Sequence, residues 1–256
     1  MLTDPRVSAS IVLYHAPDTV LDTVQCLQNS DIPIELYIVD NSPEDTMLER
    51  IRWMCPGANF LPQTGNLGFG RANNVVLPLL KSRYHLLVNP DVTFPPDLIS
   101  RMVSYMDEHP EITILTPRVF SPDGTEQFLP KKQPTIRYLF GGRLEKLGGP
   151  FRRWRAEYTL AEAGIAAPTA VGFATGCFLL IRTSVFRQLK GFDPRFFLYQ
   201  EDSDLSRRAM ELGPIVYHPE MCLTHAWARE NTRTLKGNLR QVSSIIKFFM
   251  KWGWKW

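Results

Sequence analysis

"LLVNPDV", residues 86–92, is the stretch on which the fold of this chain turns. Three apolar residues run straight into Asn89, Pro90 and Asp91, and a valine follows. Such a run is a buried strand. The Asn-Pro-Asp after it is either a turn, or a carboxylate held at a strand tip to meet something positive, such as a metal ion. Upstream, "SASIVLY" (8–14), "IELYIVD" (34–40) and "NFLPQT" (59–64) also read as strands. Helices separate them. The first is capped by Asp18 with Val20, Leu21, Val24 and Leu27 on one face, the second is "MLERIRWM", and the third, "GRANNVVLPLLKS", is expected to bend at Pro78. Downstream, Pro96 opens a helix reaching about His109, and "ITILTPRVF" (112–120) is a further strand. Strand and helix therefore alternate from 8 to 120. That pattern predicts an α/β fold with a mostly parallel, three-layer sheet and right-handed crossovers. Ligands of such sheets sit beyond the carboxyl ends of the strands, where Asp40 and Asp91 both fall.

The chain has 256 residues, enough for one large α/β domain. Its 44% apolar and 21% charged content is that of a soluble globular protein, and a net charge of +3 is too small to imply nucleic acid. Cys26, Cys55, Cys177 and Cys222 form no CxxC pair and read as reduced thiols of a cytosolic protein. "MLTDPRVSAS" does not read as a signal peptide, and no run of about 18 apolar residues is available to span a membrane.

Beyond residue 120 the alternation weakens. Residues 131–158 hold eight Lys or Arg against two Glu and read as a partly helical or mobile excursion, not a domain. "VGFATGCFLLIRTSVF" (171–186) restores a strand and a helix. "EDSDLSRRAMELG" (201–213) is a helix, "IVYHPE" a late strand, and a helix-like tail closes the chain.

Five clusters carry candidate chemistry. Asp40 and Asn41 end a strand and offer groups that can pair with a pyrimidine edge; a capped βα turn is the plainer alternative. In "GNLGFGRANN" (65–74) the glycines let backbone N–H groups approach a phosphate or ribose at a helix N-terminus, although the pattern is neither a Walker A loop nor GxGxxG. Arg71, Asn73 and Asn74 there need partners. Asn89 and Asp91, two apart, can flank Mg2+ or Mn2+. Glu201, Asp202 and Asp204 place three carboxylates within four residues, which is either helix capping or a general base with the residues that orient it; Arg207 and Arg208 can pair with these acids or with a diphosphate. His225, after the last strand, becomes a ligand candidate if the fold brings it to Asp91.

The order of "SIVLYH", "VDNS", "NLGFGRANN", "LVNPDV", "GFATGCFLLIRTSVF…GFDPRFFLYQEDSDLSRR" and "THAW" resembles glycosyltransferase family 2, in particular its bacterial rhamnosyltransferase-like members, over residues 8–228. The resemblance implies a single GT-A domain. Residues 1–120 would be the Rossmann-like, nucleotide-sugar-binding half, 121–230 the acceptor-binding and catalytic half, and 231–256 a basic amphipathic tail. It also implies inverting transfer from a nucleoside-diphosphate sugar, with dTDP-L-rhamnose first and a UDP-sugar next, to a glycan or lipid-carrier-linked glycan. By motif match, Asp40 and Asn41 would meet the nucleobase. Asn66, Gly68, Arg71, Asn73 and Asn89 would line the nucleotide-sugar pocket. Asp91 and His225 would hold Mg2+ or Mn2+, and Asp202, with Glu201 beside it, would be the catalytic base. Asn89 departs from the family's DXD pattern and leaves one carboxylate fewer. The rival readings are a nucleotidyltransferase and a non-catalytic nucleotide-sugar-binding module. "SIVLYHAPDTV" lacks the basic Gly-rich loop expected of the first.

The tail, 235–256, has no acidic residue. As a helix it would gather Val242, Ile245, Phe249, Trp252 and Trp256 on one face and Lys247, Lys251 and Lys255 on another. That pattern suits packing on the domain or peripheral contact with the anionic inner face of the cytoplasmic membrane.

Overall fold

The computed structural model describes residues 6–226 and 235–256. The last residue of the "THAW" motif and the start of the tail fall outside them. Strands β1 (Val7–Leu13), β2 (Ile34–Asp40), β3 (Asn59–Pro62) and β4 (Tyr84–Val88) form a parallel half-sheet in the order β3-β2-β1-β4. The sheet continues through β8 (Phe178–Arg182), β6 (Ile114–Phe120), β9 (Ile215–His225) and β5 (Val92–Thr93), with β7 (Thr169–Ala170) also beside β9. β8 runs antiparallel to both β4 and β6, whereas β6 and β9 are parallel. β5 and β7 also run antiparallel to β9, so three strands are reversed in a sheet expected to be mostly parallel, and β8 is the one that lies between two parallel neighbours. The reason is the route of the chain. β6 ends at the carboxyl edge, and the 121–177 excursion returns there, where the Gly172 N–H donates to the Lys131 carbonyl at 3.0 Å, so β8 must start at that edge and run back.

Helices α1 (Thr19–Gln28), α2 (Met47–Met54) and α4 (Leu98–Glu108) cover one face of the sheet, and α3 (Phe69–Val76), α7 (Thr183–Gln188) and α8 (Glu201–Ala209) cover the other. In α1, Val20, Val24 and Leu27 are buried and Leu21 packs beside them, as the 3.6-residue period requires. Asp18 does not cap that helix; it pairs with Arg50 on α2. Pro78 ends α3 rather than bending it, because a proline has no N–H to continue the ladder. The excursion folds as a hairpin of α5 (Ile136–Leu144) and α6 (Gly149–Thr159).

The tail forms α9 (Leu235–Trp252). It packs through Phe248 and Phe249, with Ile245 and Trp252, against Phe196 and against Ile136 and Leu139 of α5. This corrects the expected face: Val242 and Trp256 are exposed, and Phe248 takes part instead. Lys251 is not an outward charge either. It bridges Asp193 and the fully buried Asp204, at 2.7 and 2.5 Å.

Candidate active site

The carboxyl edge of the sheet gathers most of the singled-out residues. Asp40, the last residue of β2, is buried and its Oδ1 accepts from the Ser42 N–H at 3.0 Å. Beside it, the Asn41 N–H donates to the Leu13 carbonyl, while Asn41 Oδ1 is buried without a partner among the described residues. Asn66 Oδ1 accepts from the Gly68 N–H at 2.8 Å and shapes the loop ahead of α3. Gly68 has φ +80°, and a Cβ there would lie 2.1 Å from the Phe197 carbonyl oxygen, so only glycine lets the two loops touch.

The next three residues find the partners they need inside the protein. Asn73 does not line a pocket. It is 1% exposed; its Oδ1 accepts from Ser10 Oγ and its Nδ2 donates to the Phe69 carbonyl. It ends a buried polar row that runs Ser82, Ser8, His85, Ser10, Asn73 under α3. Burial pushes His85 down to about 3, so its ring is a neutral structural link. Asn74 pairs with both backbone groups of Phe192, and Arg71 is exposed with its Nε on the Pro194 carbonyl. Both residues tie α3 to the 191–196 loop. The helix puts successive side chains on different faces, so the polarity of the motif serves helix docking as much as a ligand.

The "NPD" turn behaves differently. The Asn89 N–H donates to the Cys177 carbonyl at 2.7 Å, and the Asp91 carbonyl accepts from the Ala226 N–H at 2.9 Å. These two bonds bring the end of β9 against the turn. His225 is buried with Nε2 3.2 Å from Asp91 Oδ1 and 3.4 Å from Asn89 Nδ2. Gln127, which carried no signal in the sequence, fixes the ring. Its Nε2 donates to the His225 carbonyl at 2.7 Å, which turns its Oε1 towards Nδ1 at 3.1 Å. Nδ1 therefore faces the Gln127 amide oxygen, and Nε2 faces the Asp91 carboxylate. Two acceptors held this way fit a divalent cation between them, with the Gln127 partner orienting the imidazole from behind. No group of three or more His, Cys, Asp or Glu that could hold a metal occurs among the described residues, so a cation here would complete its shell with ligand oxygens.

Glu201 and Asp202 open α8 after two consecutive left-handed residues, Tyr199 (φ 67°) and Gln200 (φ 66°). Such non-glycine conformations persist only where the surroundings enforce them. Asp202 Oδ2 accepts from the Gly176 N–H at 3.3 Å and Oδ1 from the Ser203 N–H at 2.8 Å. Burial raises its proton affinity; nearby Lys131 and these N–H groups oppose that. Glu201 is pushed up to about 8, by burial first and then by the Asp202 charge, and its buried Oε2 has no partner among the described residues. At about 8, Glu201 holds its proton at neutral pH beside Asp202. Asp204, the third acid, belongs to the interior. It accepts from Arg208 Nε at 2.8 Å, Lys251 Nζ and Trp252 Nε1, while Arg207 lies over the Trp252 ring.

Sequence reasoning passed over Lys131. Its Nζ lies 4.9 Å from the Phe173 ring centroid and 5.9 Å from that of Tyr158, and burial brings it down to about 8 despite the Asp202 charge. The sequence signal for it was the basic run at 131–158, which did not single it out. Cys177, buried between Asp91 and Asp202, is pushed up to about 12 and is no nucleophile.

The geometry defines a class: a GT-A type α/β domain with a carboxylate–imidazole pair and a carboxylate helix start on one rim. The chain belongs to Glycosyl transferase family 2, whose model matches residues 8–190. It is 29% identical to the N-acetylglucosaminyl-diphospho-decaprenol L-rhamnosyltransferase of Mycobacterium tuberculosis over 216 residues, 78% of this chain and 69% of that protein. It is 24% identical to rhamnosyltransferase WbbL of Escherichia coli over 217 residues, 79% and 76% of the two chains. Among solved structures, the mannosyltransferase PcManGT from Pyrobaculum calidifontis, in complex with GDP-Man and Mn2+, superposes with TM-score 0.64 at 14% identity over 97% of this chain and 65% of that one. S. aureus TarS 1–349 gives 0.60 at 15% identity, over 86% and 60%. The chain spans less than two thirds of each of these two solved proteins. Family membership sets aside the nucleotidyltransferase alternative.

Proposed function

We propose that this protein transfers a sugar, with inversion, from a nucleoside-diphosphate donor to a hydroxyl of a lipid-carrier-linked glycan, working at the inner face of the cytoplasmic membrane. The observation that carries the reading is a two-residue bridge. The Cys177 carbonyl holds Asn89, and the adjacent Gly176 N–H holds Asp202. The "NPD" turn and the start of α8 are thereby both tied to one pair of adjacent residues. Inverting transfer needs this: charge stabilisation at the departing diphosphate and a base for the incoming hydroxyl.

Asp40 and Asn41 would meet the nucleobase. The unpartnered Asn41 Oδ1 suits the N3–H of a uracil or thymine, which favours UDP or dTDP donors. The rhamnosyltransferase relatives favour dTDP-L-rhamnose among them. Asp91 and His225 would hold Mg2+ or Mn2+, which would neutralise the charge appearing on the diphosphate as the glycosidic bond breaks. Asp202 takes the acceptor proton. Protonated Glu201 adds no second negative charge beside it. The test is Asp202→Asn, which should bind donor as the native protein does yet lose transfer by at least about 100-fold, the scale of a general base. Near-native transfer by this variant would overturn the assignment. Donor hydrolysis by the native protein separates an enzyme from a binding module.

A further inference from the structure

We infer that the outward face of α9, with the basic side of the α5–α6 hairpin, is a docking surface for an anionic lipid bilayer. The inference deepens the reading of a membrane-borne acceptor and names the residues that would meet the lipid. Thirteen large apolar side chains are exposed among the described residues, and six of them are Leu239, Val242, Ile246, Met250, Trp254 and Trp256. Leu239, Val242, Ile246 and Met250 follow one another at three- and four-residue steps, so they form one stripe along α9. Leu239 is 65% and Met250 74% exposed, far from the ordinary state of a packed helix. The opposite face of the same helix is fully used in the interior. The stripe is therefore a second apolar face, which the domain does not need for its own core.

Charge decides what fits it. Residues 235–256 contain no acid. On the hairpin packed against α9, Glu145 and Glu157 are paired with Arg155, Lys132 and Arg137. Arg143, Lys146, Arg152 and Arg153 are exposed and have no acidic partner among the described residues. Arg143 donates to Gln241 of α9, and the Trp154 ring meets Trp256, so the basic hairpin packs directly beside the helix. A second copy of the chain docked symmetrically on the stripe would bring these cations together, which is unfavourable. A bilayer with anionic headgroups satisfies both halves: the apolar stripe lies in the interface, the cations meet phosphates, and Trp254 and Trp256 sit at headgroup level. α9 is not long and apolar enough to cross a membrane, so it would lie in the plane of the surface.

The placement has a geometric consequence for the site. Ser244 Oγ donates to the Leu198 carbonyl at 2.7 Å, Lys247 to the Arg195 carbonyl, and the Arg240 guanidinium lies over the Phe197 ring. The loop that leads through Tyr199 and Gln200 to Asp202 is thus carried on the side of the helix next to the lipid-facing stripe. A hydroxyl presented from a lipid carrier would reach the base without the protein leaving the surface.

Sedimentation with vesicles tests this. The full chain should bind vesicles of equal parts phosphatidylglycerol and phosphatidylcholine and not phosphatidylcholine alone. Binding should fall as salt rises from roughly 0.1 M to 1 M, where the screening length drops from about 10 to about 3 Å. Leu239→Ser/Ile246→Ser/Met250→Ser should weaken binding by at least about 100-fold, and Arg152→Gln/Arg153→Gln by roughly tenfold to 30-fold. Both variants should keep the native melting temperature and native donor hydrolysis, since none of these side chains touches the core or the site. Vesicle binding is read without turnover, so failure of the proposed reaction and failure of the surface are seen separately. Native protein that stays in the supernatant, binding that ignores anionic lipid, or a triple variant that binds like the native chain would each overturn the inference. So would a native dimer that the triple variant dissociates, because a second copy would then own the stripe.

Discussion

Replacing Lys251 by methionine separates a structural lysine from a surface one. Lys251 Nζ lies 2.7 Å from Asp193 and 2.5 Å from Asp204, and its side chain is only 16% exposed. Asp204 is wholly buried. Breaking a buried ion pair by deleting one partner removes about 3–5 kcal/mol, because the other charge stays in the interior. Here Arg208 still pairs with Asp204 through Nε at 2.8 Å, and Asp193 keeps Arg195. Methionine also retains most of the packing of the lysine stem. The loss should therefore fall below that range, at about 2 kcal/mol. For a chain of this size each kcal/mol moves the melting temperature by roughly 2–4 °C, so Lys251→Met should melt about 4–8 °C lower. Lys247→Met, at an exposed position, should shift it by no more than about 0.5 kcal/mol. Urea denaturation of both variants beside the native chain measures the difference. Equal stability of all three would refute the claim that α9 is bolted into the domain through its lysine. It would also return Lys251 to the outward stripe that the sequence suggested. The same geometry makes deletion of α9 a poor probe of lipid binding, since removing Phe248 and Phe249 would expose Phe196 and the α5 contacts.

Asp91→Ala should abolish the gain in nucleotide-sugar affinity that Mn2+ provides, His225→Ala should reduce it, and Gln127→Leu should give a weaker form of the His225 defect; calorimetry with and without the ion reads all three, and full activity after exhaustive chelation would remove the metal role. Glu201 supplies a pH signature. Its folded pKa of about 8 stands above the ordinary 4.5, so the folded chain binds the extra proton and stability falls as pH rises across that window. Glu201→Gln should flatten the stability profile between about pH 4.5 and 8, and an unchanged slope in that variant would assign the protonated carboxyl elsewhere.

The parallel half of the sheet was legible because its strands and helices obey their own periods. Val20, Val24 and Leu27 could lie on one face only if α1 were a helix, and "LLVNPDV" could be buried only as an inner strand. Asp40, Asp91 and His225 were legible as an ordered set of motifs. What could not be read was long-range. Nothing in the spacing of Gln127 says that it holds His225, 98 residues away. Asn73 reads as a loop polar group until β1 supplies Ser10 beneath it. Lys131 looked like one more cation in a basic run, until the fold enclosed it between Phe173 and Tyr158. The tail misled by its strength. Large apolar residues occur on both sides of the helix, so sequence periodicity alone could not say which of two apolar faces turns inward.

The reversed strand β8 limits how relatives of this chain can vary. At the carboxyl edge a parallel strand arrives with its C-terminus, whereas β8 departs from there, so its first residues offer an N–H and a carbonyl to the rim side by side. Gly176 and Cys177 use that pair to grip Asp202 and Asn89. The chain between these contacts and β8 has no slack: Val88 faces Phe178 directly in the ladder. Exposed turns such as 122–124 can gain or lose residues and merely bulge into solvent. One residue inserted between Gly176 and Phe178 would have to shift the β4–β8 register or part the two carboxylates, so lineages that keep the reaction should tolerate almost no length change here.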